Sequence, residues 1–294
     1  MTRVALATCA ELPDLDSDDH VLVAALKARG VEVTLPLWDG PSAAFARDVV
    51  DVTVIRSTWD YTTRREQFLQ WTDAVESVGR LLNPAAVVRW NTDKRYLQEL
   101  AKHRVATVPT VFLDQSSTPA RFVDVIKALP AGVGGYVLKP TIGAGSRDTI
   151  SVKADDAAAA QAFVDEMNPR EGVMVQPFLP AIADGEVSMV YIDGRFSHAV
   201  NKQPKAGDFR SQPEFGSLVT RHLPTAAEQA VAEAALHVTG GFLLYARVDL
   251  VRGLDDKPVV IELELTEPCL YLNWSDDAAD VLAAAIVARS AARR

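Results

Sequence analysis

Arg247-Val248-Asp249-Leu250 and Glu262-Leu263-Glu264 hold the densest concentration of chemical groups in the chain. Residues two apart on a strand share a face, so Arg247 and Asp249 would project together, as would Glu262 and Glu264. A polar turn joins the apolar runs 245–251 and 259–265, which makes them neighbouring antiparallel strands. Three carboxylates then converge, and crowded carboxylates repel unless a cation offsets their charge. An all-oxygen set without histidine suits magnesium or manganese held against phosphates. Three solvated acids on an exposed sheet face would read the same way, and spacing alone leaves both open.

Other stretches add weaker signals. Lys139 ends the run Val137-Leu138 and is followed by Gly143, Gly145 and Ser146. Backbone N–H groups of such a loop can approach phosphate, and the lysine adds charge. The order matches neither a P-loop nor GxGxxG, and a plain surface turn also explains it. Asn91 reads as the cap of a helix over 91–102, which puts Lys94 in its first turn. A lysine there opposes the helix dipole and hints at a phosphate partner, or is simply solvated. Gln176-Pro177-Phe178-Leu179 is an apolar hinge that could hold a flat base, with Glu186 near enough for sugar hydroxyls. A proline-rich connection between domains is the alternative. Lys202 precedes a loop, Gly207-Asp208-Phe209-Arg210, whose arginine could meet a transferring phosphoryl group or remain in solvent. Ser57-Thr58-Trp59-Asp60-Tyr61 leaves the carboxyl end of a strand, where α/β sheets bind ligands. It reads as a substrate loop or as a packed Trp–Tyr turn.

The elements that must position these groups change character along the chain. Residues 4–7, 31–35 and 52–56 read as strands, with a helix over 16–29 stopped by Gly30. Thr63 and Glu66 read as a capping box opening a helix to residue 78. Alternating strands and helices predict a parallel, doubly wound sheet. Residues 107–113 and 136–139 read as strands and 121–129 and 155–167 as helices. After Gly172 the strands 173–178, 187–192 and 196–201 follow, the last two joined by an Asp193-Gly194 hairpin turn. Thr225 and Glu228 cap another helix, and the alanine-rich stretch 278–292 reads as a final amphipathic helix.

The 294 residues suggest about two domains, and the 48% hydrophobic and 23% charged content is that of a globular protein. A net charge of −9 argues against nucleic-acid partners. No run approaches the ~20 apolar residues of a membrane span. Two cysteines, Cys9 and Cys269, without a CxxC pair point to a reducing cytoplasm.

Taken in order, lysine, lysine with glycine loop, apolar hinge with acid, loop arginine, then Asp and Glu-x-Glu on paired strands resemble the ATP-grasp superfamily over 91–268. Gly207 to Arg210 is similar to the glutathione synthetase branch. The resemblance implies an α/β N-terminal domain over 1–90, a central ATP-grasp subdomain over 91–175 and a C-terminal one over 176–294, α+β in character. It implies an ATP-dependent carbon–nitrogen ligase that activates a carboxylate as an acyl phosphate. Lys94, Lys139, Gly143, Gly145 and Ser146 would meet ATP phosphates, Gln176, Pro177, Phe178 and Leu179 adenine, and Glu186 ribose. Arg210 and Lys202 would serve catalysis. Asp249, Glu262 and Glu264 would hold two magnesium ions, with manganese able to substitute. Where many relatives have Glu-x-Asn this chain has Glu262-Leu263-Glu264, and Thr266-Glu267-Pro268 replaces Thr-Ser-Pro. With Ser57 to Tyr61, that stretch resembles the O-ureido-serine cyclo-ligase family of cycloserine biosynthesis. Ser57, Thr58, Trp59, Asp60, Tyr61, Arg247 and Glu267 would then meet a small amino-acid-like substrate. An intermolecular amino acid or peptide ligase, or a nucleotide-binding module without turnover, are the alternatives. A homo-oligomer is compatible with all three.

Overall fold

A computed structural model describes residues 1–130 and 134–291. The chain begins β1 (Arg3–Ala7), α1 (His20–Ala28), β2 (Glu32–Thr34), β3 (Val52–Ile55), α2 (Arg65–Val78), β4 (Leu81–Leu82). The strands form a parallel sheet in the order β2-β1-β3-β4, as the alternation of strand and helix predicts. β1 is buried on both faces: Val4 and Leu6 pack with Leu22 and Leu26, while Ala5 and Ala7 pack with Trp38, Phe68 and Trp71. Such two-sided burial is why its sequence is a continuous apolar run. The expected Thr63–Glu66 capping box does not form. A 3₁₀ turn, Trp59–Thr63, occupies that stretch, and the Thr63 hydroxyl donates back to the Asp60 carbonyl at 3.1 Å.

Next come α3 (Ala85–Asn91), α4 (Tyr96–Lys102), β5 (Val111–Leu113), α5 (Phe122–Val125), β6 (Gly135–Pro140), β7 (Ile150–Lys153), α6 (Ala157–Met167) and β8 (Val173–Pro177). The strands make an antiparallel sheet, β5-β8-β6-β7, covered by α5 and α6 through Phe122, Val125, Ala160 and Val164. Asn91 closes α3 instead of capping a new helix. Its amide donates to the Leu263 carbonyl and accepts from the Leu265 N–H, both at 2.7 Å, so the backbone around Leu263 to Leu265 claims the side chain that a cap would need. Lys94 accordingly lies ahead of α4, outside its first turn, with its N–H donating to the Thr141 carbonyl at 2.8 Å.

The last part holds β9 (Glu186–Ile192), β10 (Arg195–Gln203), β11 (Leu218–His222), α7 (Ala226–Val238), β12 (Tyr245–Arg252), β13 (Pro258–Glu264) and α8 (Ala278–Ala291). The sheet is antiparallel, in the order β11-β10-β9-β12-β13. Asp193 and Gly194 both take positive φ, 51° and 76°, as a tight hairpin turn requires. The Thr225–Glu228 capping box forms, and Ala232 and Ala235 of α7 pack in one core with Val248 and Leu263. Helix α8 returns to the N-terminal sheet, where Leu282, Ala283 and Ile286 share a core with Leu22 and Leu26; Ala292 lies outside the described residues. Buried Asn83 joins the parts, donating to the carbonyls of Tyr245 at 2.9 Å and Leu265 at 2.7 Å.

Candidate active site

A cavity of about 950 Å³ opens between the three sheets. Its walls are the loops after β1 and β3, the loop between β6 and β7, the end of β8, the 207–216 loop, and one face of β12 and β13.

The pairing of β12 with β13 sets Arg247 opposite Glu264 and Asp249 opposite Glu262. All four side chains therefore reach one face, as alternation required. Asp249 accepts from the Ser188 hydroxyl at 2.6 Å and from the Arg247 guanidinium at 2.9 Å, with the Lys202 ammonium 3.7 Å away. Lys202, 1% exposed, is also paired with Glu186, and Arg247 with Glu264. The Lys94 ammonium lies 3.0 Å from Glu262 and donates to the Gly143 carbonyl at 2.5 Å. Burial would raise the Asp249 carboxyl, but Arg247 and Lys202 outweigh it and hold it at about 2. Glu262 is likewise held low against burial by Lys94 and Lys139. Burial pushes Glu264 up to about 7 despite Arg247.

Among the described residues, no group of three carboxylates, histidines or cysteines stands ready as a metal cage. The acids share a face, yet each leans on a cation, Glu262 on Lys94 and Asp249 and Glu264 on the shared Arg247. The donor chemistry nonetheless fits a hard divalent ion. Glu262 and Glu264 offer carboxylate oxygens and are 26% and 29% exposed towards the cavity, beside lysines suited to phosphate. Asp249, 2% exposed and saturated by Ser188, Arg247 and Lys202, can reach such an ion only if a cation yields.

The other end of the cavity is apolar. Leu179, Ile182 and Val108 pack with Val251 and Val259, and Phe178, Phe209 and Ile261 close around them. Gln176 spends its amide N–H on the Thr110 hydroxyl at 2.9 Å, and the Phe178 N–H goes to the Gly135 carbonyl at 2.8 Å. Pro177 ends β8 at the cavity wall. Lys139 points between the two ends, without an ion-pair partner among the described residues, and burial lowers its pKa. Gly143 lines the loop beyond it, and Gly145 and Ser146 take positive φ of 60° and 55°. Glu186 faces the cavity while paired with Lys202 and accepting from the Ser211 hydroxyl at 2.6 Å. Arg210 is folded onto its own loop, 2.8 Å from Asp208 and stacked on Phe215 at 3.8 Å.

The N-terminal loops wall the far side. Trp59 donates from its indole N–H to the Glu267 carbonyl at 2.9 Å, and the Tyr61 hydroxyl neighbours the Glu267 carboxyl. Asp60 is committed to the Trp38 indole at 2.7 Å and to Arg64. Ser57 and Thr58 do not reach the wall: they are 1% and 0% exposed. The Ser57 hydroxyl braces the β1 loop instead, bonding Asp19 and the Asp16 N–H. Burial, reinforced by Glu264, pushes Glu267 up to about 8. The sequence reading missed Asp16, Asp18, Tyr271 and Asn273, which also line this end. Asp18 accepts from the Leu272 and Asn273 N–H groups, a contact across 254 residues that no local pattern foretells.

Comparison with known proteins agrees with this geometry. Residues 4–83 match the family described as D-cycloserine synthetase DcsG, N-terminal domain, and residues 111–269 match the prokaryotic glutathione synthetase ATP-grasp domain. The cycloserine biosynthesis protein DcsG of Streptomyces lavendulae is 32% identical over 98% of this chain and 99% of its own. The crystal structure of D-cycloserine synthetase DcsG superposes with a TM-score of 0.87 at 31% identity, covering 98% of this chain and 99% of that one. The D-alanine–D-alanine ligase of Bacillus anthracis complexed with ATP has a TM-score of 0.69 at 16% identity, over 99% of this chain and 97% of that one, and shares the fold. ATP and magnesium are the general requirements of the family to which the cavity and its acids answer. The chain therefore belongs to the D-cycloserine synthetase family of ATP-grasp enzymes and is an ATP-dependent carbon–nitrogen ligase.

Proposed function

We propose that the enzyme cyclises O-ureido-D-serine to D-cycloserine. The γ-phosphoryl group of ATP passes to the substrate carboxylate, giving ADP and an acyl phosphate. The oxyamine nitrogen of the same molecule attacks the acyl carbon, phosphate leaves and an isoxazolidinone ring closes. Its carbamoyl group is lost with water as carbon dioxide and ammonia. The observation that carries this reading is the near-full-length likeness to a cycloserine biosynthesis protein, extending through the N-terminal loops that wall the substrate end. One continuous cavity suits ring closure, because an intramolecular nucleophile brings its own high effective concentration.

In this reading Lys94 and Lys139 bind phosphates, Gln176 to Leu179 line adenine and Glu186 turns to ribose. Glu262 and Glu264, with Asp249, hold two magnesium ions, and manganese substitutes. Magnesium bound there offsets the charge of the transferring phosphoryl group. Arg210 swings from Asp208 to the same group, an exchange of one anion for another on an exposed loop. Arg247, Trp59 and Tyr61 bound the substrate.

The test is ADP release with magnesium-ATP against O-ureido-D-serine, its L isomer, D-serine, D-alanine, and γ-glutamylcysteine with glycine, followed by product analysis. Selective turnover of the first compound to cycloserine is expected. ADP without cycloserine, or turnover only when two amino acids are present together, refutes cyclisation in favour of an intermolecular ligase.

A further inference from the structure

Among the glutamates of the cavity that are not exposed, Glu267 stands apart by what it lacks. Asp249, Glu262, Glu264 and Glu186 each hold a lysine or arginine. Glu267 is 8% exposed and faces the same cavity, yet among the described residues it has no ion-pair partner. Its carbonyl accepts from the Trp59 indole N–H, and the Tyr61 hydroxyl is a neutral neighbour of its carboxyl. A buried carboxylate without a cation is costly unless something else brings the charge.

The location says what that is. The carboxylate to be phosphorylated must sit at the phosphoryl end, marked by Glu262, Glu264 and Arg247. Glu267 follows Glu264 by three positions and lies against the N-terminal loops, where Trp59 donates to its carbonyl. Of the other acids on that side, Asp18 accepts from Leu272 and Asn273, Asp60 from Trp38 and Arg64, and Asp16 from the Asp18 N–H, while Glu11 is exposed. We propose that Glu267 is the counter-ion of the substrate's α-ammonium group and makes this ligase selective for α-amino carboxylates. An ammonium supplies three donors and a full charge to a carboxyl beside a neutral hydroxyl. The assignment rests on the ligase reading above and adds the group that recognises the amine.

The experiment compares O-ureido-D-serine with its desamino analogue, 3-(ureidooxy)propanoate, on wild-type enzyme and on Glu267→Gln, by kcat/KM for ADP release. The wild type should prefer the amine-bearing compound by about 100-fold, the usual loss when one partner of a buried charge pair is removed. Glu267→Gln should reduce that preference to within about threefold, through KM for the amine-bearing compound, while its Kd for ATP stays at the wild-type value. A preference that survives Glu267→Gln, or an equal loss on both compounds, overturns the assignment. If wild-type enzyme turns over neither compound but does turn over another amino acid, the cyclase reading fails and the same comparison is made with that amino acid and its desamino form. Glu267→Asp carries the same test should the glutamine variant not fold, because withdrawing the charge by one methylene must also shrink the preference.

Discussion

Replacing Lys202 by methionine probes the charge network under the site. Lys202 is 1% exposed, paired with Glu186 and 3.7 Å from Asp249. Methionine keeps most of the volume and removes the charge. Asp249 would retain Arg247 and Ser188, whereas Glu186 would keep only the Ser211 hydroxyl. Glu186 thus becomes the buried, uncompensated charge. Removing one partner of a buried pair costs about 3–5 kcal/mol. For a chain of this size the melting temperature should fall by roughly 10 °C. The orphan can be removed too: Lys202→Met with Glu186→Gln should recover at least about half of the loss, since the penalty lies in the unpaired carboxylate. Thermal melts of the wild type, both single variants and the double variant supply the cycle. A fall of less than about 2 °C for Lys202→Met, or losses that simply add in the double variant, would refute the claim that these two side chains compensate each other.

Lys139→Ala should weaken ATP binding about tenfold or more, measured by calorimetry, with the melting temperature unchanged or raised. The reason is that burial opposes the charge of a lysine without an ion-pair partner among the described residues more than its longer-range attraction to Glu262 favours it, so its strong interactions come from a ligand. Glu262→Gln should lower kcat at least about 100-fold and raise the magnesium concentration needed for half-maximal rate, as it removes a half-buried carboxylate that the proposed function assigns to magnesium. Glu267 gives a pH signature of stability. Its folded pKa of about 8 lies above the ordinary 4.5, so the folded protein binds the extra proton. Stability from this group is present below about 4.5 and drains away as pH rises through 8. Without substrate, Glu267→Gln should therefore melt higher than wild type at pH 8.5, with the gap closing at pH 5. A constant gap at both values would contradict the raised pKa.

Short-range chemistry was legible from the residues themselves. The two-residue period of Arg247-Val248-Asp249 and Glu262-Leu263-Glu264 fixed which side chains share a face, and the hairpin between them fixed their adjacency. The Asp193-Gly194 turn and the Thr225–Glu228 cap were equally local, each decided by residues no more than three apart. The linear order of lysines, hinge and acids carried the superfamily resemblance. What the sequence left undecided depends on partners far along the chain. Asn91 has the right chemistry for a helix cap, but β13, 172 residues away, takes its amide. Thr63 and Glu66 have the spacing of a capping box, but the preceding turn holds Thr63. Ser57 and Thr58 sit at a strand's carboxyl end and yet turn inward, because Asp19 and the β1 loop reach Ser57 first. Whether an acid is paired or alone is likewise tertiary: Glu264 and Glu267 are one residue type three positions apart, and only the fold gives Arg247 to the first and leaves the second facing the cavity without a cation among the described residues.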